Sequence, residues 1–365
     1  MRWARVGIVL MLLATPAVAQ DTPVTLPAGF HLETFARDVP GARFMTLDPS
    51  GTVLLSQPRQ SRVVALPDAN RDGHADRVVT VVEGLSRPHG LAFKDGALYV
   101  AETGRVLRFR YDPTTFKASD HKPVVASIPS GGNHWTRTIA FAPDGRLFVS
   151  IGSSCNVCKE SDPRRAAIVR YEADGSGERI FATGLRNAVG IAFLPGTSTL
   201  WATVNERDWR GDDLPPEYVT EVKEGGFYGW PECFVAGGKV VPDERGGAGD
   251  RCQKVTLPTV EVQAHSAPLG MAFYTGQQFP AEYRGSLFVA YHGSWNRTVP
   301  TGYKVVRIPF ANGQPSGAPV DFAAGWLSDN GKVAGRPVDV LVGPDGALYI
   351  SDDHAGAVYR VTYRP

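Results

Sequence analysis

Long apolar runs are missing from this chain of 365 residues. The longest, residues 6–14, falls well short of the about 20 residues that a membrane-spanning helix needs, so no membrane span is expected. An excess of one charge is missing too. Lys and Arg number 38 against 37 Asp and Glu, interspersed rather than blocked, which gives no basic face for nucleic acid or an acidic membrane surface. No long stretch carries a helical period, and that argues against a bundle. Cysteine is scarce, and Lys159 rather than His follows Cys158, so no haem-attachment motif and no built-in cytochrome is expected.

What is present begins with a short basic start at Arg2 and Arg5, the apolar run, and the small-residue end Ala17-Val18-Ala19. This is the pattern of a secretory signal peptide over residues 1–19, with cleavage before Gln20 and an exported, periplasmic or secreted product. Losing Arg2 and Arg5 takes the formal charge from +1 to −1. The four cysteines are an even set in a chain bound for an oxidising compartment, which favours disulfides. Three connectivities are open, and the simplest is local, Cys155 with Cys158 and Cys233 with Cys252. A zinc site from both pairs is the alternative. A thioredoxin-like role is disfavoured because Cys155-Asn156-Val157-Cys158 follows a strand pattern with no helix signal behind it.

One phrase recurs six times: a small apolar strand, a tight glycine turn, a second strand ending near small or acidic residues, then a third apolar strand. The copies begin at Met45, Gly90, Ile139, Gly190, Gly270 and Asp339. Their second strands, such as Arg146-Leu147-Phe148-Val149-Ser150 and Ala347-Leu348-Tyr349-Ile350-Ser351, are β-branched and aromatic runs between turn residues. The turn glycines Gly51, Gly96 and Gly145 are 45 and then 49 residues apart, the length of a four-stranded propeller blade. The expected fold is all-β: a six-bladed β-propeller forming one domain over residues 20–365. A strand at residues 29–35 stands outside every copy and is placed to close the ring as the outer strand of the last blade. The longer gap at residues 205–265 predicts a loop excursion over the face that carries the site. A pair of β-sandwiches is the competing architecture.

Three stretches carry more than a generic propeller. They are Gly131-Gly132-Asn133-His134 followed by the strand to Gly152, Gly184-Leu185-Arg186-Asn187 before Gly190, and residues 205–213 followed by Gly225-Gly226-Phe227-Tyr228-Gly229-Trp230-Pro231. In this order they resemble the soluble quinoprotein sugar dehydrogenases, which use pyrroloquinoline quinone (PQQ) and calcium. The sorbosone dehydrogenase-like branch is more similar, through Cys155-Asn156-Val157-Cys158, Asn205-Glu206-Arg207-Asp208 and His292-Gly293-Ser294-Trp295-Asn296-Arg297.

The resemblance implies that His134 is the general base, removing a hydroxyl proton while hydride moves to the quinone; imidazole suits this because its ordinary pKa lies near working pH. Arg186 and Asn187 match the family's pair at the quinone, with Arg186 also polarising its oxygens, and Arg336 matches a cofactor arginine. Guanidinium groups suit a tricarboxylate. Backbone carbonyls of Arg207 and Asp208 match the calcium loop, give or take one residue, while Asp212 and Asp213 are either direct ligands or solvated acids. The chain also departs from the pattern. The acid that orients the base histidine is Ser153 here, so another partner has to fix the ring, or its basicity is lower. The second family arginine is Val338, and the cofactor lysine falls near Gly293, where His292, Trp295 and Arg297 stand in. Arg43 enters the first blade at the matching mouth, ready for another carboxylate.

The leading expectation is oxidation of an aldose, a sorbosone-like aldehyde or another polyol, with electrons passed to a separate acceptor. A calcium-dependent propeller lactonase would need carboxylates converging on a metal, and only Glu206, Asp208 and Asp212 are near. A non-catalytic propeller binding peptide or glycan would have no titratable group poised at the mouth.

Overall fold

Each repeat folds into a four-stranded antiparallel sheet, as a meander of short strands with tight turns favours. In the computed structural model, residues 24–247 and 249–365 are described; the expected signal peptide lies outside them. Blade 1 comprises Met45–Leu47, Val53–Gln57, Arg62–Leu66 and Val79–Glu83, and blade 2 comprises Leu91–Lys94, Ala97–Glu102, Arg105–Asp112 and Lys117–Val125. Blade 3 follows with Ile139–Phe141, Leu147–Ile151, Ala167–Tyr171 and Arg179–Thr183, and blade 4 with Asn187–Phe193, Leu200–Asn205, Glu217–Val222 and Val260–Val262. Blade 5 is Pro268–Phe273, Leu287–Tyr291, Lys304–Ile308 and Val320–Ala323; blade 6 is Pro337–Val342, Leu348–Asp352, Ala357–Tyr363 and, outermost, the early strand Phe30–Ala36. That early strand pairs antiparallel with Ala357–Tyr363, so the ring is closed as the sequence predicts.

The first strands touch in a cycle from blade 1 through blade 6 and back. A sheet with two apolar faces has to bury both, and here each blade buries them against its neighbours. The apolar core is accordingly divided among the blade interfaces, with separate clusters between blades 1 and 2, 2 and 3, 3 and 4, 4 and 5, 5 and 6, and 6 and 1. Second strands sit in the middle of this stack. Leu147–Ile151 and Leu348–Asp352 are buried at every position, which is why they read as continuous apolar runs rather than alternating ones. Outer strands meet water, and Lys117–Val125 is mostly exposed. Hairpin turns need left-handed backbone, supplied by Gly51 at φ +89° and Gly145 at φ +90°. Phe44, Val189, Leu269 and Val338, at or just before first strands, form a further buried apolar cluster.

The gap at residues 205–265 differs from the expected excursion. It contains the third and fourth strands of blade 4, and only residues 223–259 are inserted between them. The insertion carries a hairpin, Cys233–Ala236 with Lys239–Pro242, and a 3-10 turn at Asp250–Lys254. Cys233 is bonded to Cys252 across it, and Cys155 to Cys158, so the local pairing holds and the thiolate zinc site does not form.

Closure is concentrated in Phe30, which meets Phe279, Tyr283, Phe322 and Tyr363 edge-on with centroids 4.8–5.1 Å away. Phe30→Ala removes that wedge from a buried aromatic cluster and is expected to cost about 3–5 kcal/mol, the usual range for such a truncation. Urea unfolding of the two proteins measures it, and a difference below about 1 kcal/mol would show that closure does not depend on this ring.

Candidate active site

In a four-stranded meander, the loop leading into the first strand and the loop joining the second and third strands lie at the same end. The six blades therefore bring both kinds of loop to one mouth. There they line a cavity of about 650 Å³, a volume usual for a small-molecule site. His134, Arg186, Asn187, Arg43 and Arg336 come from the first kind of loop or its first strand residue; Asp208, His292 and Trp295 come from the second, and all line this cavity. The separated motifs of the sequence converge.

His134 is held through Nδ1, which lies 2.9 Å from both the backbone oxygen and the hydroxyl of Ser153. The Ser153 hydroxyl donates its proton to the Cys155 carbonyl at 2.7 Å, so toward the imidazole both Ser153 atoms accept. Nδ1 therefore carries the ring proton, and Nε2 keeps its lone pair. The partner that the sequence left open is Ser153 itself, locked by the Cys155–Cys158 loop. Gly152 allows the approach, because a Cβ there would lie 2.4 Å from Asn187 Oδ1 and 2.6 Å from His134 Cβ. Burial, then the positive charge of Arg186, pushes the His134 pKa down to about 3. The ring is therefore neutral, and the Ser153 carbonyl acts against this lowering rather than causing it.

Arg186, also at the cavity wall, is bound by the protein through every donor it has. Its five N–H groups go to the Asn156 carbonyl (3.2 Å), the Asn205 carbonyl (3.3 Å), the Glu206 carbonyl (2.6 Å), Asn156 Oδ1 (2.9 Å) and Asp208 Oδ2 (2.9 Å). With all five N–H groups engaged, Arg186 is a fixed positive charge at the cavity wall. Its chief partner, Asn156, gave no signal beyond sitting between two cysteines. Asn156 also binds the Asp208 amide (2.8 Å) and carbonyl (3.0 Å) and accepts from Trp230 Nε1 at 3.0 Å.

On the opposite side, Asp353 accepts from Arg43 Nη1 and faces His292 Nε2, both at 2.8 Å. Burial, partly offset by Asp353, holds the His292 pKa down to about 4. Arg336 donates to the carbonyls of His292 (3.0 Å) and Gly293 (2.8 Å). Sequence reasoning missed Asp353, although the repeat pattern of second strands ending in acids contained it. It also missed Glu217, which lines the cavity and whose buried carboxyl is pushed well above its ordinary value by desolvation.

Two expected residues are not at the cavity. Arg297 points along the rim, donating to Val299, Asp212 and Asp213, because those loops need a cation between them. The Arg207 side chain turns away into a buried pair with Asp243 at 2.6 Å. Of the backbone carbonyls in this stretch, that of Asp208 accepts from Asn156 and those of Asn205 and Glu206 accept from Arg186, each through one hydrogen bond that leaves a second lone pair. Asp212 caps the Thr298 amide and Glu206 accepts from the Arg207 amide, and among the described residues Glu206, Asp208 and Asp212 do not gather into a metal-sized cluster of the kind a lactonase would need.

The cavity wall carries five arginines against three carboxylates, a field suited to an anionic ligand. Arg43 Nε and Asn187 Oδ1 are buried there without a hydrogen-bond partner, which points to a polar occupant.

The TrAA12-like family matches residues 24–364. The chain belongs to that family. It falls within the PQQ-dependent sugar dehydrogenase superfamily that its motifs indicate. An uncharacterized protein of Borreliella burgdorferi is 30% identical over 97% of this chain and 95% of its own length. The PQQ-dependent pyranose dehydrogenase of Coprinopsis cinerea is 26% identical over 91% of this chain but only 54% of its own length. An aldose sugar dehydrogenase of Escherichia coli is 28% identical over 68% of this chain and 66% of its own length. Among solved structures, the holo PQQ domain of the Coprinopsis enzyme superposes with a TM-score of 0.82 at 23% identity, covering 94% of this chain and 97% of that one. A calcium structure of the Trichoderma reesei family AA12 enzyme gives 0.83 at 22%, covering 94% and 98%. At these identities the superpositions establish the fold. The names of these relatives carry pyranose and aldose, not sorbosone.

For this TrAA12-like protein the His134 environment sets a pH behaviour. Unfolded, the ring takes a proton near its ordinary pKa of 6.5; folded, it refuses one until about 3. Its contribution to stability is therefore full above pH 6.5 and is lost progressively as pH falls toward 3. In the cofactor-free protein, histidine NMR is expected to show His134 as a neutral Nδ1–H tautomer that does not titrate between pH 8 and about 4.5. A midpoint near 6.5 would overturn this reading of its surroundings.

Proposed function

We propose that this protein is an exported quinoprotein dehydrogenase that binds PQQ and calcium in the propeller mouth. It oxidises a sugar hydroxyl, of a pyranose, another aldose or a sorbosone-like substrate, and hands the electrons to a separate acceptor. The observation that carries the reading is a neutral imidazole with a free Nε2, fixed at the wall of a cavity lined by an excess of guanidinium groups. The names of the Coprinopsis and Escherichia coli relatives support the cofactor and the sugar class. Two disulfides support a folded life in an oxidising compartment.

The residues fit both groups. Arg43 and Arg336 keep N–H groups that their protein partners do not use, and a planar tricarboxylate offers the matching acceptors. The oxygens that calcium prefers are present on Asp208, Glu217 and Asn187. When bound, PQQ supplies the hydride acceptor and calcium the Lewis acid that polarises it. The protein's own part is proton removal and placement. His134 Nε2 takes the proton of the sugar hydroxyl as the C–H hydride leaves, and Ser153 holds the ring in the tautomer that makes this possible. Arg186 adds positive charge beside the place where negative charge gathers, without having to move.

Reconstitution with PQQ and calcium, followed by aldoses and an artificial electron dye, tests the reading. Dye reduction is expected, with kcat falling about 10²–10⁴-fold in His134→Ala while PQQ binding, followed by its absorbance, persists. Absence of PQQ binding, or binding without oxidation of any aldose or polyol, would overturn it.

A further inference from the structure

Of the large apolar side chains exposed among the described residues, Trp209, Leu214, Trp295 and Val299 all sit on two neighbouring loops at the cavity mouth. These are the second-to-third strand loops of blades 4 and 5. Trp209 is 62% exposed and Trp295 65%, yet the pair is not loose. The indoles meet edge to face at 5.2 Å and 84°. The loops are tied to each other by Asn296 Nδ2 to Asp208 Oδ1 (2.8 Å), by Thr298 N to Asp212, and by Arg297 to Asp213 Oδ1 (3.0 Å). Trp209 itself is held at φ +65°, a left-handed conformation that a bulky residue adopts only when its surroundings impose it. Fixed, solvent-facing aromatic rings on a strained backbone are costly in water and call for a ligand.

We infer that the Trp209–Trp295 pair is a subsite for a second pyranose ring, so that the substrate is an oligosaccharide or glycoside whose end unit enters the cavity. In an edge-to-face pair one indole keeps both faces open, and a π face attracts the slightly positive C–H face of a pyranose. Trp295 lines the cavity while Trp209 stands outside it, the order that a ring inside linked to a ring outside requires. Groups that bond sugar hydroxyls surround the pair: Asn296 and His265 at the wall, Asp212 and Asp213 at the rim. Four side chains are far too small a patch for a stable protein partner, which takes about 800 Å² from each side. The inference rests on the sugar dehydrogenase reading.

The test compares D-glucose with its α- and β-1,4-linked disaccharides on the PQQ- and calcium-loaded enzyme with the dye acceptor. Trp209→Ala is expected to lower kcat/KM for the preferred disaccharide about tenfold through KM, equivalent to about 1.4 kcal/mol, and to leave glucose within about twofold. Trp209→Asn, which suits the left-handed backbone, should behave like the alanine variant, and Trp209→Phe should recover most of the loss. Equal losses on glucose and disaccharide, no loss on either, or a change only in the KM of a protein electron acceptor would overturn the subsite. Tryptophan fluorescence of the cofactor-free protein titrated with the same disaccharides gives a readout independent of turnover. Quenching that disappears in Trp209→Ala upholds the subsite even if no sugar is oxidised. Oxidation of glucose without quenching upholds the dehydrogenase and removes the subsite.

Discussion

Six sheets with two apolar faces each have no way to bury them except against one another, and the position of every functional group follows from that constraint. The ring brings to one mouth the loops that lead into first strands and those that leave second strands. Residues as far apart in sequence as Arg43 and Asp353 thus meet at 2.8 Å. The final contact of the ring is made by Phe30–Ala36 against the last strand of the chain. Geometry at the mouth and burial at the blade interfaces are consequently one problem: a wedge that loosens between two blades also moves the loops above it.

Within the mouth, a short covalent loop carries much of the arrangement. Cys155–Cys158 holds Asn156 and the Cys155 carbonyl in place. From the first hang Arg186 and Asp208, and from the second hangs Ser153, which orients His134. Charge-assisted bonds in a site shielded from water are strong, and a donor with every N–H engaged has little freedom. The site thereby gets a rigid positive centre on one wall, whereas Arg43 and Arg336 on the other wall keep donors to offer. One cationic wall is committed to the protein, and the other is available to a ligand.

The repeat makes the fold legible in the sequence. Its turn glycines set the blade length, and the orphan strand near residue 30 had nowhere to go but the last blade. Blade 4 was harder to read, because Glu217 and Glu221 interrupt the apolar signal of its third strand and the insertion separates it from its fourth. The residues that the sequence motifs single out, His134, Asn187, Arg43, Arg336 and His292, share one cavity. The motifs could not give the direction of a side chain. Arg297 lies on the expected loop but spends its charge on Asp213, and nothing in its place along the chain distinguishes it from Arg336. The partner of His134 escaped for a different reason: it includes a backbone carbonyl, and backbone acceptors leave no trace in residue identity.

The replacement of an orienting carboxylate by Ser153 changes more than geometry. A carboxylate beside Nδ1 would raise the basicity of the ring strongly, while the Ser153 carbonyl selects its tautomer and offsets only part of the effect of burial and of Arg186. The remaining influences on His134 are burial and the charges of Arg186, Arg137 and Arg165, and all of them lower its proton affinity. An anionic ligand in the cavity would offset that positive field and raise the proton affinity of the imidazole. The guanidinium groups around the cavity thus tie the proton affinity of His134 to the charge of whatever the cavity holds, a coupling that a fixed carboxylate partner would weaken.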